Sequence, residues 1–431
     1  MKVLISILLI LTGFECFSQS GRGHIRAEKL YSDNRFLDVI ALVDSLEQID
    51  SADPGLYRLR GLASFELARY DRALDDFERV RAANPDNTGI LFTIGRTHER
   101  LGRIREAIAD YEELLGMDPQ NIGAKVQLGN LYRSSGDYGR ALSCFRELIA
   151  LDSMSYYYFR QAGRCYQLLD STDLAIESYN KANALNPHDL IMVSYLTNLY
   201  LNKKDLVSGL RTANAGLSVD STYIELRKLR GYLQYLGGDY PAAIEDFLFI
   251  EQQDSSIEFV NKYLGLSYYK KDTRDLDGAY RYLRRAFQLD STDVETSYFL
   301  ANTCRYNSRE EDGLAYMEKT LQLMMPDSAD RKKVYVDLAE MNNQLHNFIL
   351  AIDYYQRAYL MDKDDYVIYL YVGRIYDEGL DDKRQAVGFY NEFLRRVRQS
   401  GSEQNQQMKT LMDYVEGRIG RLKEDLHMGG K

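Results

Sequence analysis

A glycine returns every 34 residues, at Gly61, Gly95, Gly129 and Gly163. Each is followed twelve residues later by an alanine (Ala73, Ala107, Ala141, Ala175) and four further on by a ring (Phe77, Tyr111, Phe145, Tyr179). Eight residues beyond the ring stands a proline or serine (Pro85, Pro119, Ser153, Pro187). The same offsets recur at Gly231, Ala243 and Phe247. Looser copies follow at Gly265 with Ala279, Ala339 with Ala351 and Tyr355, and Gly373 with Ala386 and Tyr390. A fixed period of this length decides the fold before any single residue does.

Helix packing supplies the physical reason. Each period reads as two amphipathic helices joined by a short turn, as at Leu101-Gly102 before "RIREAI". Small residues let two helix backbones approach, and the ring one turn beyond the alanine fills the space beside them. Asp-Pro or Asp-Ser then ends the second helix and is expected to cap the next, at Asp118-Pro119, Asp152-Ser153, Asp220-Ser221 and Asp290-Ser291. One such pair cannot bury its apolar face alone, whereas stacked neighbours can.

These residues resemble the tetratricopeptide repeat (TPR) family. Its first-helix signature stands at Leu128-Gly129-Tyr132, Ala162-Gly163-Tyr166, Leu264-Gly265-Tyr268 and Val372-Gly373-Tyr376, while the family's Trp is absent from a chain with 35 Tyr. The resemblance implies an all-α, right-handed superhelical solenoid of stacked antiparallel helix pairs. About eleven units start near residues 20, 54, 88, 122, 156, 190, 224, 258, 294, 332 and 366. Residues 19–53 form a degenerate capping repeat and 54–400 the array. Residues 401–431 form a terminal helix whose stripe Met408, Leu411, Met412, Val415, Ile419, Leu422 and Leu426 covers the last pair.

The N-terminus differs. One lysine precedes an apolar run from Val3 to Phe14, too short to span a bilayer, which reads as a signal peptide over residues 1–18 cut before Gln19. Its ending resembles the leaders of Bacteroidota-type exported proteins. The expected location is the periplasm or outside the cell, with lipid anchorage at Cys16 as the alternative. Cys144, Cys165 and Cys304 remain after cleavage; buried free thiols are one reading and a Cys144–Cys165 disulfide the other.

Three irregularities interrupt the period. Gly209, Ala213 and Gly216 stand where bulkier residues usually sit, which predicts a thin, soft second helix. Extra residues fall near "KKDTRDLDG", and a longer loop near "MMPDSADR".

Chemistry-bearing motifs are missing from the sequence. It has no nucleophile elbow, HExxH or phosphate loop, and its five histidines share no ligand spacing, so neither catalysis nor a cofactor is expected. "TRDLDG" fails as a calcium loop because Thr273 and Arg284 occupy the two key carboxylate positions. The acid pairs Asp75-Asp76 and Glu112-Glu113 read as solvated helix faces. A net charge of −10 without a basic stripe argues against nucleic acid, and mean hydropathy of −0.41 against an integral membrane protein once the leader is removed.

The family's concave groove is lined by the fifth and ninth residues of each first helix. Here those places hold Arg58, Arg96, Asn130, Arg160, Arg164, Asn198, Lys228, Tyr232 and Lys262, then Asn302 and Arg374. Asn130, Arg160 and Arg164 resemble part of a clamp for a peptide's terminal carboxylate, although Phe92 and Arg96 stand where such a clamp has Lys and Asn. The other reading is that these side chains pair with acids on adjacent helices. The expected function is a non-catalytic protein–protein scaffold or adaptor of the cell envelope. Its expected partner is a protein or peptide with acidic or C-terminal carboxylate groups. A binding module for a small anionic ligand or glycan, or an accessory subunit of an envelope enzyme or transport complex, is the alternative.

Overall fold

The computed structural model describes residues 22–47, 53–326 and 328–428, and every regular element among them is helical. The expected leader, its cleavage before Gln19 and the lipid site at Cys16 lie outside the described residues. Contacts divide the chain into two compact bodies, one ending at Leu199 and one beginning at Tyr200.

In the first body the pairs are α1 (22–32) with α2 (Phe36–Glu47), α3 (Pro54–Glu66) with α4 (Tyr70–Ala83), and α5 (Thr88–Arg100) with α6 (Ile104–Met117). α7 (Ile122–Ser134) with α8 (Tyr138–Leu151) and α9 (Tyr156–Leu168) with α10 (Thr172–Leu185) follow, and the body ends within α11 (Leu190–Asn202). The second body holds α12 (Leu206–Val219), then α13 (Ile224–Leu236) with α14 (Tyr240–Glu251) and α15 (Glu258–Lys270) with α16 (Leu276–Leu289). It continues through α17 (Val294–Tyr306) with α18 (Glu310–Leu323) and α19 (Arg331–Gln344) with α20 (Phe348–Met361). α21 (Val367–Arg374) runs into a π-helical turn, Ile375–Gly379, before α22 (Lys383–Ser400) and α23 (Gln406–Met428).

The repeated ring lies directly on the repeated glycine. A Cβ at Gly163 would come within 2.9 Å of the Tyr179 ring, and one at Gly95 within 3.0 Å of Tyr111. The glycine therefore makes room for a ring from the second helix of its own pair. Ala107, Ala141 and Ala175 are fully buried beside these rings, where the helices cross. At Gly265 the covering side chain is Leu283 instead of a ring.

The turn within each of the first seven pairs is equally regular. Asn34, Ala68, Gly102, Gly136, Asp170, Lys204 and Gly238 all have positive φ, between 55° and 86°. Only three of the seven are glycine, the residue that enters this region without a steric cost.

The aspartates ending the second helices act differently from expectation. Asp118, Asp152, Asp220 and Asp290 do end α6, α8, α12 and α16, but none caps the following helix. Each accepts from the backbone N–H two residues on, closing an Asx turn inside the linker. The next cap comes three residues after the aspartate, as at Asn121, which accepts from Ala124 N at 2.9 Å, and Asp293, which accepts from Thr296 N at 2.9 Å. An Asx-turn residue is already folded onto its own linker and cannot also reach the helix.

α12 is continuous and not thin at Gly209, because Leu233 of α13 fills the place of the missing side chain at 3.0 Å from where a Cβ would be. Cys144, Cys165 and Cys304 are all free, so the alternative of a Cys144–Cys165 disulfide is not what the chain forms. Burial pushes the Cys144 and Cys165 thiols up to about 11. At the C-terminal end, Met412, Val415, Ile419 and Leu422 of α23 pack on Tyr390, Phe393, Leu394 and Val397 of α22.

Candidate functional site

The groove positions sort by what each side chain already touches. In the first body, Asn130 of α7 and Tyr157 of α9 exchange hydrogen bonds of 2.9 and 3.1 Å. Arg160 lies over the Tyr157 ring, 5.6 Å from its centroid, and donates from Nη1 to Asp189 Oδ2 at 2.7 Å. Asp189 is itself occupied, since its Oδ1 accepts from Met192 N at the start of α11. Two of the three expected clamp residues are therefore engaged inside the protein.

Arg58, Arg96 and Arg164 are not. Among the described residues none of the three has a hydrogen bond or ion pair. Arg58 and Arg96 are exposed and Arg164 is half-buried. Arg96 of α5 lies over Phe65 of α3 at 5.3 Å, and Arg164 of α9 over Tyr195 of α11 at 4.8 Å. A guanidinium held on a ring face keeps its in-plane N–H fork free for a carboxylate, so these contacts orient the group without using up its donors. Phe92, at the position where a clamp has Lys, packs against Tyr111. Asn198 is exposed.

In the second body the cations are internally matched. Lys228 pairs with Glu225 at 2.7 Å, and Lys262 with Asp293 at 2.8 Å and Glu295 at 3.0 Å. Tyr232 belongs to a cluster of rings, 4.6 Å from Tyr263 and 5.3 Å from Phe259 by centroids. Asn302 is buried and donates to Tyr298 O, and exposed Arg374 stands 3.9 Å from Glu378.

Sequence reasoning missed a buried ion pair. Arg60 precedes Gly61 and Arg230 precedes Gly231, in a place that other pairs fill with Ile94, Leu128 or Ala162. Arg60 donates to both oxygens of Asp76 at 2.9 and 2.7 Å, and Arg230 to both of Asp246 at 2.6 and 2.7 Å. Asp76 is thus no solvated surface acid; its side chain is 2% exposed. The signal was present as an Arg before the glycine together with an Asp before the ring. At the same register Asp110, lacking an arginine, accepts His98 Nδ1 at 2.6 Å instead, and burial holds its carboxyl above the usual range despite the histidine.

Among the described residues no group of three or more His, Cys, Asp or Glu side chains is placed to hold a metal ion, and no helix is long and apolar enough to cross a membrane.

Residues 58–122, 100–158 and 156–189 each match a tetratricopeptide-repeat family model. This stretch is a run of tetratricopeptide repeats. No curated protein matches the chain. Among solved structures it is similar to MamA, at 21% identity over 38% of this chain and 95% of that one, with a TM-score of 0.36. It is also similar to the C-terminal part of a TPR repeat-containing protein from Cytophaga hutchinsonii (19% identity, 64% and 99% covered, TM-score 0.43). A tetratricopeptide repeat protein from Parabacteroides merdae is a further likeness (15%, 66% and 97%, 0.35). The tetratricopeptide repeats from Pro54 to Leu185 carry Arg58, Arg96 and Arg164, each on a first helix.

Proposed function

We propose that the chain is a non-catalytic scaffold that binds a partner protein or peptide through the first-helix side of its N-terminal repeats, and that acidic groups on the partner meet Arg58, Arg96 and Arg164. Tetratricopeptide repeats generally mediate protein–protein interaction. The observation that carries the reading is that, among the described residues, these three guanidinium groups have no acid partner, although the chain holds 64 Asp and Glu against 54 Lys and Arg. In so acidic a protein, three unmatched arginines on the first helices α3, α5 and α9 are cations kept available. Arginine suits a carboxylate because its planar fork donates two parallel hydrogen bonds.

The setting we propose is the cell envelope, reached through the leader over residues 1–18 and cleavage before Gln19. The experiment is a titration of the mature chain with a labelled peptide of ten Asp and Glu residues, and with its Asn/Gln counterpart. The acidic peptide should bind and release as salt is added, because screening shortens the reach of the arginines. Equal binding of both peptides would refute the reading.

A further inference from the structure

At the C-terminal end of α21 the helix leaves the α-helical ladder. Leu380 N donates to Ile375 O at 3.0 Å, five residues back, and the extra residue in the turn widens it. π-helical turns of this kind cost stability and recur where a helix must shape a site. Gly379 closes the turn, and the ring of Phe348 lies so near that a Cβ on Gly379 would come within 2.7 Å of it. The turn and α20 thereby border a cleft of about 420 Å³. Its floor is aromatic: Tyr355 and Tyr371 stack with centroids 5.5 Å apart, and Phe348 adds a third ring.

The rim carries unlike charges. Arg374 and Glu378 face the cleft at 3.9 Å from each other, a separation too long for a hydrogen bond, with both side chains about half exposed (50% and 54%). Glu340, across the opening, is held by Arg305 Nη2 at 2.6 Å. The rim thus offers a cation and an anion held only as a loose, half-exposed ion pair with no hydrogen bond between them, above a floor of rings. We propose that this cleft binds a small zwitterion with a flat apolar body, of the class of free aromatic α-amino acids. The ligand carboxylate takes the fork of Arg374, its ammonium takes Glu378, and its ring lies on Tyr355 and Tyr371. The site shares no residue with the arginine row of the N-terminal repeats, so either reading can fail alone.

Isothermal titration of the purified chain with L-phenylalanine tests it, beside N-acetyl-L-phenylalanine, which lacks the ammonium, and L-phenylalaninamide, which lacks the carboxylate. L-phenylalanine should give a saturable heat. Each capped form should bind about tenfold or more weakly, the loss expected when a charge-assisted hydrogen bond is removed. Arg374→Gln should reduce L-phenylalanine binding to the level of the amide, and Glu378→Gln should reduce it while abolishing discrimination against the N-acetyl form. Both side chains are half exposed, and circular dichroism checks that the variants fold. No heat with L-phenylalanine at millimolar concentration, equal binding of the capped forms, or unchanged binding by Arg374→Gln would overturn the proposal.

Discussion

Arg160 reaches from α9 to Asp189, the residue that opens α11, and donates to its Oδ2 at 2.7 Å while Oδ1 accepts from Met192 N. The contact joins one first helix to the cap of the next. Asp189→Ala removes both interactions and should destabilise more than Arg160→Ala. The cap alone is worth about 1 kcal/mol, and the ion pair, with Arg160 30% exposed, adds less than a buried one would. Urea unfolding of the two variants checks the order; a larger loss in Arg160→Ala would contradict it.

A larger effect is expected at Asp246. Its side chain is 1% exposed and accepts from Arg227 and from both donors of Arg230. Asp246→Ala leaves two guanidinium groups facing an emptied, desolvated site, so about 3–5 kcal/mol should be lost. Asp75→Ala, at an exposed acid, should change little. Denaturant midpoints of the two variants compare them directly.

The turn residues predict a gain. Lys204 adopts φ of 60° at the position that Gly102, Gly136 and Gly238 occupy in other turns. Relief of the left-handed conformation is worth roughly 1–2 kcal/mol, and the added freedom of glycine in the unfolded chain returns about 0.4–1 kcal/mol of it. Lys204→Gly should therefore raise the melting temperature slightly. A drop would mean that the lysine side chain contributes more than its backbone costs.

The period, the helix pairs and the burial of Ala107, Ala141 and Ala175 were legible because one contact, ring on glycine, recurs at fixed spacing. Arg60–Asp76 escaped notice because an arginine in an apolar column looks like a surface substitution until its partner sixteen residues away is seen on the facing helix. The linker aspartates misled because a capping residue and an Asx-turn residue are the same amino acid; only the backbone two residues on tells them apart. Nor did spacing reveal which groove cations were matched. Arg160 and Arg164 stand one turn apart, yet one meets a carboxylate 29 residues away and the other a ring.

Acid should weaken the seat of α23. Arg418 grips Asp377 with two bonds of 2.7 Å, and Tyr390 donates to the same carboxylate at 3.0 Å. The Arg418 guanidinium, against the opposing effect of burial and with help from Tyr390, holds the Asp377 carboxyl below its usual range. A depressed folded value contributes stability that is present above the unfolded value of about 3.9 and lost as pH falls through the folded one. Between pH 6 and pH 3 the wild-type chain should lose more stability than Asp377→Asn, whose side chain does not titrate. Parallel losses would contradict the assignment.

The most direct test of the scaffold reading is capture of a partner by the arginine row. The mature chain and its Arg58→Ala/Arg96→Ala/Arg164→Ala variant, each immobilised at equal density, are exposed to envelope extract of the native host, and retained chains are quantified by mass spectrometry. Among the described residues none of the three arginines is in an ion pair, so the variant should stay folded and lose only the ring contacts of Arg96 and Arg164, about 0.5–1 kcal/mol each. The account predicts a partner retained by the wild-type chain, released by salt, and lost from the variant. Retention of the same partner at equal yield by a folded variant would contradict it.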